Sequence, residues 1–261
     1  MSVNRTPNAP SETAKKKKAP LKVRLDQLVV ERGLAPTIEK ARGIIGAGLV
    51  LVNDEPADKA GMSYLATCAI RLRKKCPYVS RGGLKLEQAL SYFAINLEKT
   101  ICADIGASSG GFTHCLLEHG APKVFAVDVA YGMLDWKMRS DDRVVVMERF
   151  NARKLTRDDI GEAIDLAVMD TSFISITKII PALLPLFEEG GVDIIALIKP
   201  QFELEKHEVE GGVVRDPELH QKAIDKIVDF VTERGLNFEG PTPSPILGPK
   251  GNREFLLRIL S

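Results

Sequence analysis

Four ionisable side chains, far apart in the sequence, are candidates for acid–base chemistry. Asp170 and Lys199 each lie at the end of a candidate strand, Glu254 opens a third strand, and Lys85 lies on a predicted helix. Ligands of a parallel sheet bind where the strands end, and a last strand that runs antiparallel brings its first residue to that same edge. A lysine whose pKa is lowered by burial can accept a proton, while neighbouring charges orient a weakly acidic hydroxyl group. Each residue alone is better explained as a surface or salt-bridged group, but their joint placement favours a catalytic role.

A glycine-rich turn follows the candidate strand at residues 100–105. Glycines there let the backbone approach a ligand closely, although tight strand-to-helix turns also need glycine for structural reasons. Asp104, near the end of this strand, disfavours a pyrophosphate cofactor, whereas a ligand with a sulfonium and an amino-acid group tolerates it. Asp128, at the end of the next strand, can accept hydrogen bonds from both hydroxyls of a ribose. The pattern favours S-adenosylmethionine over NAD, and the predicted cofactor-binding residues are Asp104, Gly106, Ser108, Gly110, Gly111, Phe112, Asp128, Asn151 and Asp170.

The residues near the later strand ends distinguish between methylation reactions. Methylation of a cytosine ring carbon usually needs a Cys nucleophile near the fourth or fifth strand, and none of the four cysteines lies there. Methylation of an exocyclic amine usually uses an Asn/Asp-Pro-Pro-aromatic turn, whereas Asp170 precedes Thr-Ser-Phe173. A ribose 2′-hydroxyl, which must lose its proton as it attacks, fits the lysines and carboxylates best. The cysteines form no CxxC pair, so no metal is expected.

The elements that position these residues alternate between strand and helix from residue 100 onward. Candidate strands lie at residues 100–105, 123–128, 144–149, 165–170, 193–199 and 254–260. Helices are predicted at residues 84–95 and between Asp216, an N-cap followed by Pro217, and Gly235. This order, with the preference for S-adenosylmethionine, predicts an α/β, Rossmann-like class I methyltransferase domain over residues 81–261 with a mostly parallel sheet. An antiparallel last strand is expected as well, since that direction brings Glu254 to the edge that carries Asp170 and Lys199.

The front of the chain has a different charge and pattern. Residues 1–86 hold 17 basic and 7 acidic residues, and the rest holds 19 and 28. The excess suggests a polyanionic partner, although solvated surface charge explains it as well. Helices after Arg24 and Thr37, followed by strands, predict a small α+β domain and linker over residues 22–80, and residues 1–21 read as a disordered basic tail. With no long apolar run and no secretory signal pattern, a cytoplasmic protein without a membrane partner is expected.

Six motifs in this chain resemble, in order, those of the TlyA family of rRNA 2′-O-methyltransferases, historically labelled haemolysins, whose catalytic domain is similar to that of FtsJ. They begin at Ser80, Asp104, Val168, Leu197, Gly212 and Gly248, and the similarity spans residues 22–261. The resemblance implies a catalytic tetrad of Lys85, Asp170, Lys199 and Glu254, with Lys199 as the base. It also implies cytidine ribose in ribosomal RNA as the substrate, in the large subunit alone or in both subunits.

The same resemblance implies that residues 24–80 form an RNA-binding domain of the S-four type, named after a ribosomal protein. Such domains often place Arg after the Ser or Thr that caps a helix, whereas this chain has Ile38 there. Phosphate contacts are therefore expected from other basic residues, namely Arg24, Lys40, Arg42 and Lys59, with Arg71, Arg73 and Arg81 as further candidates.

Two other functions stay open on the sequence. The basic front half could deliver a catalytically inactive sheet to RNA, although the retention of all four charged residues speaks against that. A membrane-damaging toxin, as the haemolysin label suggests, would need an amphipathic stretch with a strongly apolar face and a basic rim, and none stands out.

Overall fold

The computed structural model describes residues 21–73 and 76–261, and the chain divides into two compact units between residues 75 and 76. The predicted basic tail lies, up to residue 20, outside the described residues.

The first unit is a small α+β domain. Two helices, α1 (Leu25–Glu31) and α2 (Ile38–Gly46), pack on short strands, which are β1 (Lys22–Arg24), β2 (Val50–Val52), β3 (Glu55–Pro56), β4 (Ser63–Leu65) and β5 (Ile70–Leu72). Strand β2 pairs antiparallel with β3 and β5, while β1 pairs with β4. Thr37 caps α2 by accepting a hydrogen bond from the backbone N–H of Lys40 at 3.2 Å. Fully buried side chains such as Leu25, Val29 and Ile45 form the core.

The second unit is built on a seven-stranded sheet. Its strands are β6 (Ile101–Ile105), β7 (Lys123–Asp128), β8 (Val144–Glu148), β9 (Leu166–Met169), β10 (Asp193–Ile198), β11 (Asn237–Pro243) and β12 (Phe255–Leu260), in the order β11-β12-β10-β9-β6-β7-β8. Strand β12 runs antiparallel to both of its neighbours, and the other pairs are parallel. The predicted mostly parallel sheet with an antiparallel last strand is confirmed.

Helices cover both faces of this sheet. They are α3 (Gly82–Tyr92), α4 (Gly111–Glu118), α5 (Trp136–Arg139), α6 (Arg157–Ile160), α7 (Ile180–Leu183), α8 (Pro200–Glu203) and α9 (Pro217–Thr232). Along β12, Leu256 belongs to the apolar cluster formed with α3 and α4, while Leu257 and Ile259 belong to the cluster that includes α7 and α9. This alternation follows from the two-residue period of a strand, and it assigns each strand residue to one face.

The edge strand β11 is absent from the sequence-based prediction. Residues 237–243 are Asn-Phe-Glu-Gly-Pro-Thr-Pro, mostly exposed, with a register shift between Glu239 and Thr242. An exposed strand with two prolines lacks the apolar alternation that predicts strands, and proline is tolerated in a sheet at such edges. Only its pairing with β12 identifies it.

The chain leaves β6 for β7 on one side, and β9 lies on the other side of β6. This reversal of strand order opens a crevice at the carboxyl ends of the strands, where ligands of such sheets bind. The glycine-rich turn, Asp128 and Asp170 all lie at this edge.

Candidate active site

The four predicted catalytic side chains converge. Lys85 Nζ lies 2.7 Å from Glu254 Oε2 and 3.4 Å from Asp170 Oδ2. Lys199 Nζ lies 2.5 Å from Asp170 Oδ1 on the other side of that carboxylate. The residues come from α3, the end of β9, the end of β10 and the start of β12, so the fold brings four distant segments to one point.

The group is buried and formally neutral when all four side chains are ionised. Lys85 is 7% exposed, Lys199 is 6% exposed, and Glu254 is fully buried. Lys199 Nζ also donates a hydrogen bond to Ser172 Oγ at 2.9 Å. Buried charges are tolerated when they are paired, and here each ammonium faces a carboxylate. The sequence reasoning missed Ser172, although it lies within the motif that begins at Val168.

A loop holds Glu254 from the side opposite Lys85. A Cβ on Gly248 would overlap Glu254 Oε1, so glycine is required for this close approach. Asn252, which is 2% exposed, donates hydrogen bonds to the carbonyls of Gly212 and Pro249 and accepts one from Val214 N–H. The motifs that begin at Gly212 and Gly248 are thus hydrogen-bonded to each other, and Gly248 packs against the carboxylate of Glu254.

Glu203 joins the loops that carry Asp170 and Lys199. Its carboxylate accepts hydrogen bonds from Ser175 Oγ at 2.5 Å and from Ile176 N–H at 2.9 Å, and it pairs with Lys226 of α9 at 3.2 Å. Sequence reasoning missed this contact as well. The signal for it in the sequence is that Ser175 ends the motif that begins at Val168 and Glu203 ends the motif that begins at Leu197.

The glycine-rich turn has the backbone conformation that glycine permits. Gly106 has φ +86°, and a Cβ there would lie 3.0 Å from the Asp170 carbonyl oxygen. Helix α4 begins directly after the turn, at Gly111. The backbone of this turn therefore lies directly against the strand end that carries Asp170.

Asp104 supports this turn from beneath. It is fully buried, and its Oδ2 accepts hydrogen bonds from Thr113 N–H at 2.8 Å and Thr113 Oγ1 at 2.6 Å. Burial raises the pKa of Asp104 to about 7, against the lowering effect of the Thr113 hydrogen bonds. Neither Asp104 nor Gly110 lines the crevice, so the structure gives both a supporting position.

Two adjoining cavities form the crevice. The first, about 310 Å³, holds Lys85, Lys199 and Gly248, and the second, about 460 Å³, is bordered by Asp128 and the exposed ring of Phe173. Both reach Asp170. The predicted cofactor residues along the two cavities are Gly106, Ser108, Gly111, Phe112, Asp128, Asn151 and Asp170.

Asp128 is held by the backbone. Its Oδ2 accepts a hydrogen bond from Ser108 N–H and its Oδ1 accepts one from Ala130 N–H, both at 2.7 Å. A carboxylate has about four lone-pair sites, so both oxygens keep capacity for a further donor. The geometry suits a residue that accepts hydrogen bonds from hydroxyl groups of a ligand in the second cavity.

In the first unit, two of the predicted RNA-binding arginines share one carboxylate. Asp26, 1% exposed, forms a bidentate pair with Arg24 at 3.0 and 2.7 Å and a hydrogen bond with Arg42 at 3.0 Å. The Arg24 hydrogen bond is the main cause that lowers the pKa of Asp26 to about 2. Both guanidiniums stay about half exposed and are oriented together.

The other predicted RNA-binding residues have different surroundings. Arg71 forms a salt bridge with Asp54 at 2.7 Å, and Arg81 borders the first cavity of the second unit. The remaining three, Lys40, Lys59 and Arg73, are exposed.

Two features of the described ranges bear on other functions. Residues 21–73 and 76–261 contain no cluster of three or more His, Cys, Asp or Glu side chains that could hold a metal ion. Within the same ranges, no helix combines the length and the apolar character needed to cross a membrane.

Comparison with known proteins agrees with this geometry. Residues 78–259 match the model of the FtsJ-like methyltransferase family, and residues 23–64 match the S4 domain. The chain is 44% identical over 239 residues to the 16S/23S rRNA (cytidine-2′-O)-methyltransferase TlyA of Mycobacterium tuberculosis, covering 90% of this chain and 89% of that protein.

Two further relatives carry a different name. Hemolysin A of Brachyspira hyodysenteriae is 42% identical over 241 residues, covering 91% of this chain and 100% of its own length. A solved structure from Streptococcus thermophilus, provisionally described as a hemolysin, superimposes with a TM-score of 0.72 at 41% identity and covers 93% of this chain and 90% of its own. The matches to both units, over nearly the whole chain, place this protein in the TlyA family of FtsJ-like methyltransferases, with an S4 domain at its N-terminus.

Proposed function

We propose that this protein transfers a methyl group from S-adenosylmethionine to the 2′-hydroxyl of a ribose, with cytidine in ribosomal RNA as the expected nucleoside. The observation that carries the proposal is the contact of Lys85 and Lys199 with opposite oxygens of Asp170, beside the glycine-rich turn. The TlyA relative named above supports the same reaction on rRNA.

The residues along the second cavity fit S-adenosylmethionine. Gly106 borders both cavities, and Asp128 keeps lone pairs for hydrogen bonds from ribose hydroxyls. Asn151 adds a side-chain amide at the same cavity. When bound, this cofactor supplies an electrophilic methyl group on a sulfonium centre, and it carries no phosphate that the carboxylates would repel.

Lys199 is placed to act as the base. Its Nζ is placed to take up the proton of the 2′-hydroxyl, because Asp170 at 2.5 Å stabilises the ammonium that forms. Ser172 Oγ, 2.9 Å away, orients the same nitrogen. The hydroxyl oxygen gains nucleophilic charge as the O–H bond breaks, within a crevice where Lys85 supplies a second positive charge.

Lys85 and Glu254 set the position of Asp170. Lys85 lies between the two carboxylates, at 2.7 Å from Glu254 and 3.4 Å from Asp170. Without Glu254, Lys85 would be free to move towards Asp170 and compete with Lys199 for it. Glu254 thereby acts through Lys85 rather than on the substrate.

The S4 domain would bring the enzyme to its RNA. Arg24 and Arg42, oriented by Asp26, present two half-exposed guanidiniums that can pair with phosphates, and Lys40 and Lys59 add exposed positive charge. Arg71, Arg73 and Arg81 are further proposed contacts. A ribosomal RNA substrate would place the protein in the cytoplasm, and the proposed chemistry requires no metal.

The test is methyl transfer from labelled S-adenosylmethionine to ribosomal subunits and to isolated rRNA. Wild-type protein should label RNA, and mass spectrometry should locate the label on a ribose. Lys199→Ala should lose activity, whereas Lys178→Ala, an exposed lysine outside the crevice, should retain it. Label on a base, or equal rates for Lys199→Ala and wild type, would refute the proposal.

Two control measurements address the other functions that the sequence leaves open. Calorimetry that shows no binding of S-adenosylmethionine would support an RNA-binding protein without catalysis. Leakage of liposomes at protein concentrations that methylate RNA would support the haemolysin reading.

A further inference from the structure

A further polar cavity lies on the catalytic unit, outside the crevice. It has a volume of about 380 Å³ and is bordered by Arg215, His220 and Arg253, with Phe255 as part of its apolar wall. No carboxylate of the described residues lines it. This composition is an exception in a region that is acidic overall, since residues 87–261 hold 28 acidic and 19 basic residues.

The two arginines have no salt bridge within residues 21–73 and 76–261. Arg258 of the same unit, in contrast, pairs with Asp193 at 2.7 Å, and Arg143 pairs with Asp141 at 2.8 Å. Arg215 and Arg253 are both exposed. Two unpaired guanidiniums beside one cavity repel each other in isolation and are stabilised by an anion that accepts hydrogen bonds from both.

The side chain of His220, which borders this cavity, is held in place by two contacts. His220 Nε2 lies 3.0 Å from the Val214 carbonyl oxygen, and its ring packs edge-on against Phe255 with centroids 5.6 Å apart. Asp216 already caps α9 by accepting a hydrogen bond from Glu218 N–H at 2.9 Å. The attraction for an anion therefore comes from the guanidinium groups rather than from the helix end.

The cavity lies at the same edge of the sheet as the catalytic group, on its other face. Glu254 contacts Lys85 of α3, whereas the next residue, Phe255, packs against the cluster that contains α9. Arg253 shares its cavity with Phe255. Arg253 directly precedes Glu254, so one short segment of the chain carries both a wall of this cavity and a member of the catalytic group.

We propose that the Arg215–Arg253 cavity binds a backbone phosphate of the RNA strand that carries the methylated ribose. The inference rests on the proposed function, because it takes RNA as the substrate. Phosphate contacts of this kind fix the register of the strand without reading its sequence. The S4 domain and this cavity would then hold the substrate through contacts on two separate units of the chain.

The experiment compares wild type with the double variant Arg215→Glu/Arg253→Glu. Arg234→Glu is the control for a charge reversal outside the cavity, because Arg234 lies just beyond the other end of α9, where it packs over Phe230. RNA affinity is measured over a range of salt concentrations by fluorescence anisotropy, and kcat and KM are measured in the methyl-transfer assay. Circular dichroism checks the fold, and Arg215→Gln/Arg253→Gln replaces the double variant if charge reversal prevents folding.

One lost phosphate contact should lower the slope of log Kd against log salt by about 0.7 to 0.9 and weaken binding roughly four- to sixfold near 0.15 M salt. We expect that loss, and a matching rise in KM for RNA, in the double variant alone. The affinity for S-adenosylmethionine should not change. An unchanged slope in the double variant, or an equal loss in Arg234→Glu, would overturn the proposal. Absence of methyl transfer by wild type would instead refute the proposed function. The salt dependence of RNA binding would still test whether the Arg215–Arg253 cavity binds a phosphate.

Discussion

Replacement of Asp104 by Asn should change how the stability of the protein depends on pH. Asp104 is fully buried, and burial raises its pKa from 3.8 to about 7 in the folded protein. Between these values the unfolded chain is ionised at this residue while the folded chain is protonated, so unfolding releases a proton. The folded state therefore loses stability as pH rises from about 4 to 7, and this contribution stays constant above that range.

The size of the effect follows from the two pKa values. One pKa unit corresponds to about 1.36 kcal/mol, so the difference between 3.8 and about 7 gives a loss on the order of 4 kcal/mol. Asn at this position has no such proton to release. The free energy of unfolding of Asp104→Asn relative to wild type should consequently increase by that amount between pH 4 and pH 7.

The assay is urea unfolding of both proteins at a series of pH values. Subtracting the wild-type free energy from that of the variant removes the groups that titrate alike in both proteins. Thr113→Val serves as the matched variant, because it deletes the 2.6 Å hydrogen bond from Oγ1 that lowers the pKa of Asp104. In Thr113→Val the loss of stability should extend to higher pH. A difference between Asp104→Asn and wild type that is the same at every pH would refute the reasoning.

Three further substitutions test the site and the S4 domain. Gly248→Ala should lower kcat and leave S-adenosylmethionine affinity unchanged, as measured by steady-state kinetics and calorimetry, because the new Cβ overlaps the Glu254 carboxylate. Glu254→Ala leaves Lys85 without its 2.7 Å partner and should cost about 3 to 5 kcal/mol in urea unfolding; a cost below 1 kcal/mol would contradict the burial argument. Asp26→Asn should weaken RNA binding in anisotropy measurements because two arginines lose the carboxylate that orients them, and equal affinity would refute that role. Since the pKa of Asp26 is lowered to about 2, its ion pairs stabilise wild type above about pH 4 and are lost as pH falls towards 2, and Asp26→Asn should lack this dependence.

The separation of the crevice into two cavities has a mechanistic meaning. The second cavity contains Asp128 and Asn151, and the first contains both lysines, with Asp170 common to both. A cofactor held in one and a ribose held in the other would meet at Asp170. This arrangement is consistent with the two roles predicted for Asp170, as a cofactor ligand and as a member of the catalytic tetrad.

Much of the architecture is predictable from local patterns in the chain. Buried strands such as β6 and β10 are nearly continuous apolar runs, because helices cover both faces of the sheet. The apolar run of β10 is followed by Lys199, and Asp104 interrupts that of β6 one position before its end, which is how both residues can be recognised. The caps at Thr37 and Asp216 are likewise local, since each accepts a hydrogen bond from a residue two or three positions on.

Other features depend on contacts between distant segments. Strand β11 has no apolar alternation and exists through its pairing with β12. Asp104 is the last residue but one of β6 and Asp128 is the last residue of β7, yet one carboxylate is buried under α4 and the other borders the crevice. The residue types and their spacing are the same kind of signal in both cases, so the sequence cannot separate them.

Sequence alone therefore determines which residues can be buried, where the strands end and which charged groups those ends carry, because these properties repeat with the local period of the backbone. Tertiary structure decides that Glu254 meets Lys85, that Gly248 must lack a side chain and that Arg215 and Arg253 share a cavity. Those relations join residues separated by up to about 170 positions, and the packing of the sheet and its helices sets the distances between them.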